Sequence, residues 1–153
     1  MKKILMLLLL ALSFLSYDAV KAQQQGGFGA GIILGEPTGI SLKYRNFASG
    51  IAWSLEDYLH LHCDYWIHRD ALLKGPLYWY AGAGLKLMLF DDDDRHGRDD
   101  DYDPLGLGVR APLGLQFFPL PELEIFAEIV PGISLFPDTA FDLEGGVGAR
   151  WYF

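Results

Sequence analysis

Cysteine is almost missing from this 153-residue chain, where Cys63 stands alone, so no intramolecular disulfide can staple the fold. Basic residues are also scarce. Lys and Arg total 12 against 20 Asp and Glu, a formal net charge of −8, which argues against nucleic acid, whose phosphates select basic surface. Beyond Gln23 no apolar run approaches the roughly 20 residues a spanning helix needs. Heptads, tandem repeats and sustained 3.6-residue periodicity are likewise missing. The chain is nevertheless 51 % hydrophobic. Apolar residues in such numbers without long runs must be interleaved with others, as in strands.

The one unbroken apolar run lies at the start. Lys2 and Lys3 precede Ile4 to Leu12, and Val20-Lys21-Ala22 forms a small-residue cleavage site, so residues 1–22 read as a secretory signal peptide. No Cys follows the run to accept a lipid. Residues 23–153 are then expected to form one domain, whose charge is 9 basic against 19 acidic once Lys2, Lys3, Lys21 and Asp18 are removed.

Period two dominates that domain and predicts eight strands, at about 27–34, 39–46, 50–56, 58–68, 76–89, 105–117, 122–130 and 139–153. The breaks carry turn residues: Gly35 to Gly39, Asn46 to Gly50, Lys74-Gly75-Pro76, Pro119 to Pro121, and Pro131-Gly132 through Pro137-Asp138. The last strand has the clearest pattern. Phe141, Leu143, Gly145, Val147, Ala149, Trp151 and Phe153 alternate with Asp142, Glu144, Gly146, Gly148, Arg150 and Tyr152. Phasing all eight strands in this way leaves one face without a charge. The opposite face holds Lys43, Arg45, Lys86, Arg110 and Arg150 against Asp64, Glu124, Glu128, Asp142 and Glu144, five cations against five anions.

Alternation alone does not say which face is inside, because a soluble barrel would turn its apolar set inward. Three features favour the inverted arrangement. Glycines crowd the polar face, where closely approaching strands need them. Its charges balance, as a sealed network requires. Trp151, Tyr152 and Phe153 sit at one edge, where an aromatic girdle belongs. The expected fold is therefore all-β, an eight-stranded antiparallel up-and-down transmembrane β-barrel. The longest connection, Phe90 to Pro104, joins strands 5 and 6 and falls on the extracellular side. Strand 3 is short for a tilted spanning strand, and its hairpin with strand 4 keeps the faces in phase only with an odd-numbered loop such as Glu56-Asp57-Tyr58.

The ten charged lumenal residues are the main candidate site, read as a packing network ahead of an ion path, because eight strands enclose room for side chains and little else. His60, His62, Asp64 and His68 share one face of strand 4 in that phasing, with Cys63 on the other. Imidazole and carboxylate two residues apart on a strand suit Zn²⁺ or Cu²⁺, but hydrogen-bonded lumenal side chains fit equally, and no metal is assigned. The Asp-rich segment 91–103 places Asp92, Asp94 and Asp103 at positions resembling a calcium loop. Two interior Arg and the missing flanking helices reduce this to loose recruitment of divalent cations or an extracellular ligand. For catalysis the chain offers Ser41, Ser54 and Ser134, with His60 near Ser54 and Glu56 as the best grouping. None forms the Ser–His–acid constellation such chemistry needs, so no catalytic residue, no enzyme and no cofactor is expected.

Several stretches carry a resemblance. They are Leu34-Gly35-Glu36-Pro37-Thr38-Gly39-Ile40-Ser41-Leu42-Lys43-Tyr44, Leu59 to Tyr65, Pro76 to Tyr80 with Gly82 and Gly84, Gly108-Val109-Arg110-Ala111-Pro112-Leu113-Gly114-Leu115, Leu123 to Pro131, and Phe141 to Gly148. In these the chain resembles an uncharacterised family of small bacterial outer-membrane β-barrel proteins with an eight-stranded, OmpA/OmpX-like architecture. The resemblance covers nearly all of residues 23–153, and the Asp-rich loop departs from it. It implies a barrel in the bacterial outer membrane, with outer-membrane lipids as surroundings and the barrel-insertion machinery engaging the C-terminal strand. It implies no reaction. The expected function is a non-enzymatic barrel with a salt-bridged lumen and an acidic extracellular loop, in a structural or surface-binding role. The alternatives are a narrow porin-like channel and a lipid-modifying enzyme.

Overall fold

The computed structural model describes residues 27–53, 58–72, 76–90 and 105–153. The expected leader, Ser54, Glu56, and the loop bearing Asp92, Asp94 and Asp103 lie outside the described residues. Nine strand segments are present among the described residues: β1 (Phe28–Glu36), β2 (Thr38–Tyr44), β3 (Phe47–Trp53), β4 (Tyr58–Ala71), β5 (Leu77–Phe90), β6 (Leu105–Arg110), β7 (Leu113–Leu120), β8 (Leu123–Phe136) and β9 (Ala140–Tyr152). β6 and β7 both lie between β5 and β8 and form the two halves of one stave. Every pairing is antiparallel. β1 joins β9 and β4 joins β5, which closes eight staves into a barrel.

The alternation of residue types becomes the two faces of the wall. Ile67, Leu85, Phe141 and Leu143 are 72 %, 67 %, 71 % and 66 % exposed, while Lys43, Asp64, Lys86, Arg110, Glu124, Glu144 and Arg150 are all 7 % exposed or less. An exposed apolar belt around a buried ionic core is the polarity of a membrane barrel and the reverse of a soluble one. Inside, the core is a layer of Ala48, Trp66 and Tyr80, with Phe126 and Val130 each 1 % exposed. Side chains fill the bore, as expected for eight strands.

The structure corrects three details of the expected layout. The break placed at Asn46 to Gly50 shrinks to a two-residue hairpin. Tyr44 pairs with Phe47, and Arg45 takes the turn with φ of 53°. Gly50 instead lies inside β3, where an added Cβ would stand 2.5 Å from the His62 ring, so this glycine makes room and does not turn the chain.

Pro131-Gly132 also fails to break the chain, and β8 runs through both to Phe136. The Pro131 carbonyl accepts the Ala111 N–H at 2.9 Å. A strand residue directs its N and O to the same neighbour, so the donor that proline lacks faces the stave already interrupted at Pro112. The β8–β9 ladder consequently stays continuous, with Pro131 opposite Leu143.

The third correction has the widest effect. In β4, Trp66 pairs with Gly82 but His68 pairs with Ala81, so Ile67 is an extra residue and the strand bulges there. Beyond the bulge the two faces exchange. His68 points out and meets the Trp79 ring at 4.5 Å, and Arg69 turns in. The β3–β4 connection keeps odd parity: Trp53 opposite Leu59 leaves five residues between them.

β1 and β9 approach closely at Gly31, where an added Cβ would lie 1.8 Å from the Ala149 carbonyl oxygen. Gly31→Val is expected to prevent closure of the barrel, at a cost above the roughly 3 kcal/mol upper range of ordinary overpacking. It should abolish the shift in gel migration between unboiled and boiled protein. Ser49→Val, on the outer face of β3, should retain that shift.

Candidate functional site in the barrel lumen

Two ionic clusters occupy the bore, one above the aromatic layer and one below it. The upper end carries the β1–β2 and β8–β9 turns, and the lower end the β2–β3 hairpin and the β7–β8 turn.

Arg110, near the end of β6, is the hub of the upper cluster. Its Nε lies 3.2 Å from Asp64 Oδ1, Nη1 donates to Glu144 at 3.0 Å, and Nη2 stands 3.8 Å from Glu128. Nη1 also reaches His60 Nε2 at 3.1 Å. A guanidinium only donates, so His60 accepts through Nε2 as a neutral ring. Its proton is assigned to Nδ1, which lies 3.8 Å from Glu144. Above this, Lys86 Nζ pairs with Glu144 at 2.9 Å and with Asp142, and Ser134 donates to Asp142 at 3.1 Å.

Glu124 organises the lower cluster. It is fully buried and accepts from Arg150 Nη1 at 2.8 Å, Gln116 Nε2 at 2.6 Å and the Tyr152 hydroxyl. Arg150 donates from Nε to Ser41 at 2.9 Å and lies 3.7 Å over the Phe126 ring. Arg69 donates to Gln116 at 2.8 Å and stacks 4.6 Å over Tyr78. Between the clusters, Trp66 and Tyr80 stack with centroids 3.8 Å apart and planes 14° from parallel. Tyr80 donates upward to Glu128, and Lys43 stands 4.0 Å over Trp66.

Nine of the ten expected lumenal charges face the bore: Lys43, Asp64, Lys86, Arg110, Glu124, Glu128, Asp142, Glu144 and Arg150. Arg45 does not. It is exposed in the β2–β3 turn, where only its carbonyl joins the network by accepting from Lys43. Arg69 takes its place on the inner side as the fifth cation, and Glu122 at the β7–β8 turn, 8 % exposed, adds a buried carboxylate to the five expected. The bulge at Ile67 hid Arg69, because strict alternation from Tyr58 assigns it outward. Trp66, Tyr80, Gln116 and Tyr152 carry a readable signal: each falls on the glycine-rich polar face by strict alternation, though none bears a charge to mark it.

The four-residue set proposed on β4 separates. His60, His62 and Asp64 face the lumen, with the two rings 5.3 Å apart, while His68 leaves by the bulge and Cys63 is exposed on the outer face. Among the described residues no group of three His, Cys, Asp or Glu is arranged to hold a metal ion. Ser41 and Ser134 are engaged by Arg150 and Asp142 respectively. They serve the ionic network.

A family model described as "Protein of unknown function (DUF3996)" matches residues 19–151. The chain belongs to that family. No curated protein matches it. Among solved structures it is similar to the outer membrane protein Ail of Yersinia pestis, determined in a phospholipid bilayer nanodisc, at 16 % identity and a TM-score of 0.49, covering 84 % of this chain and 99 % of that one. It is also similar to Neisserial surface protein A at 15 % identity and a TM-score of 0.46, covering 84 % of this chain and 94 % of that one.

Removing the hub leaves several buried carboxylates facing one another. Arg110→Met is expected to cost about 3–5 kcal/mol, the usual penalty for breaking a buried ionic set from one side. Urea unfolding of the refolded barrel would measure it. Adding Asp64→Asn to Arg110→Met should restore part of that loss, whereas Arg45→Met should change stability by less than about 0.5 kcal/mol, as surface substitutions do.

Proposed function

We propose that this protein is a non-enzymatic bacterial outer-membrane barrel whose sealed, ion-paired lumen makes it a rigid anchor for a surface-binding end. The observation that carries the reading is the inversion of polarity: seven ionic side chains 7 % exposed or less stand behind a wall whose apolar residues reach 72 % exposure. Bilayer hydrocarbon is the surrounding in which such a wall is stable. Export behind the 1–22 leader, and engagement of the insertion machinery by the last strand ending in Phe153, belong to the same reading.

Packing supports a closed bore over a narrow channel. Between the two clusters, Trp66, Tyr80, Phe126 and Val130 are each 3 % exposed or less, and Arg150 and Lys43 are held against those rings. The catalytic alternative gains no support from Ser41 and Ser134, both committed to ionic partners. The acidic segment with Asp92, Asp94 and Asp103 completes the proposal as a region that recruits divalent cations or a surface ligand at the outer rim.

Two measurements test this. Leu85→Arg, midway along β5 on the outer face, should destabilise the inserted barrel by about 2–4 kcal/mol, as a cation at the bilayer midplane does. A change near zero would mean that the wall does not face hydrocarbon. In planar bilayers the native protein should show no steady conductance, and the double variant Trp66→Ala/Tyr80→Ala should show an ohmic current. A native current of comparable size would replace this reading with the channel.

A further inference from the structure

The upper mouth of the barrel holds a cavity of about 420 Å³, within the range of roughly 300–1,000 Å³ typical of small-ligand sites. Its lining combines two kinds of group. Glu36, Asp138, Asp142 and Glu144 supply carboxylates, and Lys86 is the one cationic side chain among the lining residues. Lys86 is 2 % exposed, with its ammonium already committed to Glu144 and Asp142, so it presents little positive charge to the opening. Arg110 beneath the cavity offsets a second carboxylate through Glu144, so the excess of two negative charges lies at the rim with Glu36 and Asp138. Apart from Ser134, the remaining wall is apolar and aromatic. Tyr58 and Phe90 hold their rings 5.3 Å apart, Phe136 is 40 % exposed, and Met88 and Leu143 complete the surface.

The geometry points to a binding site for an organic cation, an ammonium, amidinium or guanidinium group carried on a flat apolar body. Each half of such a ligand has a counterpart. Carboxylates at the rim attract the charge, aromatic faces take both the cation and its apolar frame, and a concave low-dielectric wall focuses the negative field. An anion of the same shape meets the same apolar surface and a repulsive field. The floor is closed, since Glu144 passes directly to Arg110, so the site binds at its mouth and transmits nothing through the bore. This inference deepens the surface-binding reading and rests on it for which side of the membrane the mouth faces.

Benzamidinium, neutral benzamide and benzoate share one ring and differ in charge, so they separate the two contributions. Each would be titrated calorimetrically into the full chain in nanodiscs, with empty nanodiscs as reference. Saturable millimolar or tighter binding of benzamidinium is expected, about tenfold weaker binding of benzamide, and none of benzoate. Phe136→Ala and Asp138→Asn, both on the exposed rim and outside the ionic network, should each weaken benzamidinium about threefold. Retained gel-migration shift would show that these variants fold. Equal binding of all three probes, no saturable binding of benzamidinium, or indifference to both substitutions would overturn the site. A protein that inserts and fails to discriminate loses this inference alone. One that discriminates in solution but never enters nanodiscs loses the membrane reading instead.

Discussion

Ten ionic side chains facing one narrow axis can coexist only when each finds an opposite charge, a hydrogen-bond partner or an aromatic face within a few ångströms. Taking an ion from water into a confined low-dielectric space costs several kcal/mol, and close pairing with further hydrogen bonds must offset it. Arg110 meets this condition by reaching four partners on other staves, Asp64, His60, Glu128 and Glu144. Glu124 does the same from the opposite sign, with three donors converging on it. Glu124 binds its two neighbouring staves together, whereas Arg110 ties β6 to β4 and β9, Lys86 ties β5 to β9 and Arg150 ties β9 to β2, pairs that are not neighbours in the wall, so these contacts brace the barrel across its bore. Backbone ladders alone brace it only around the circumference.

The aromatic layer follows from the same constraint. A bore filled entirely by charges would bring the two clusters into contact, and like charges would then compete for partners. Trp66 and Tyr80 separate them, while Tyr80 through Glu128 and Trp66 through Lys43 keep each side of the layer tied to an ionic neighbour. The lumen is thereby divided into an upper compartment that opens at the mouth cavity and a lower one closed by Arg69, Tyr78 and Phe118. The proposed function depends on this division, since it makes the interior a support and leaves the rims for recognition.

Much of this was legible from alternation. The phase of β9, the sign balance of the polar face and the number of staves follow from residue order, because a strand fixes side-chain direction at every second position. Where proline or glycine appeared, the reading was weaker. Pro131-Gly132 looks like a turn in isolation, and only the neighbouring interruption at Pro112 shows why a strand can pass through it. Gly50 carries a turn signal, yet its reason is the His62 ring on the next strand. These are facts about adjacent staves, which no local pattern holds. The mouth cavity was invisible for a related reason: Glu36, Tyr58 and Phe136 are far apart in sequence and meet only when the barrel closes.

Ile67 shows how much a single position can govern. Left out of the ladder, it reverses the inward and outward parity of the rest of β4, so the same Arg69 that bridges to Gln116 would project into the surroundings of the wall if Ile67 took a regular place in the ladder. Deleting Ile67 is therefore a different operation from replacing it. Replacement trades one greasy side chain for another, whereas deletion removes the bulge and leaves Trp66, His68 and Arg69 alternating regularly against Gly82, Ala81 and Tyr80, with the guanidinium still inward. In lineages that gain and lose residues, such a hinge of parity lets this stave absorb one residue at Ile67 while the side chains beyond it keep their directions.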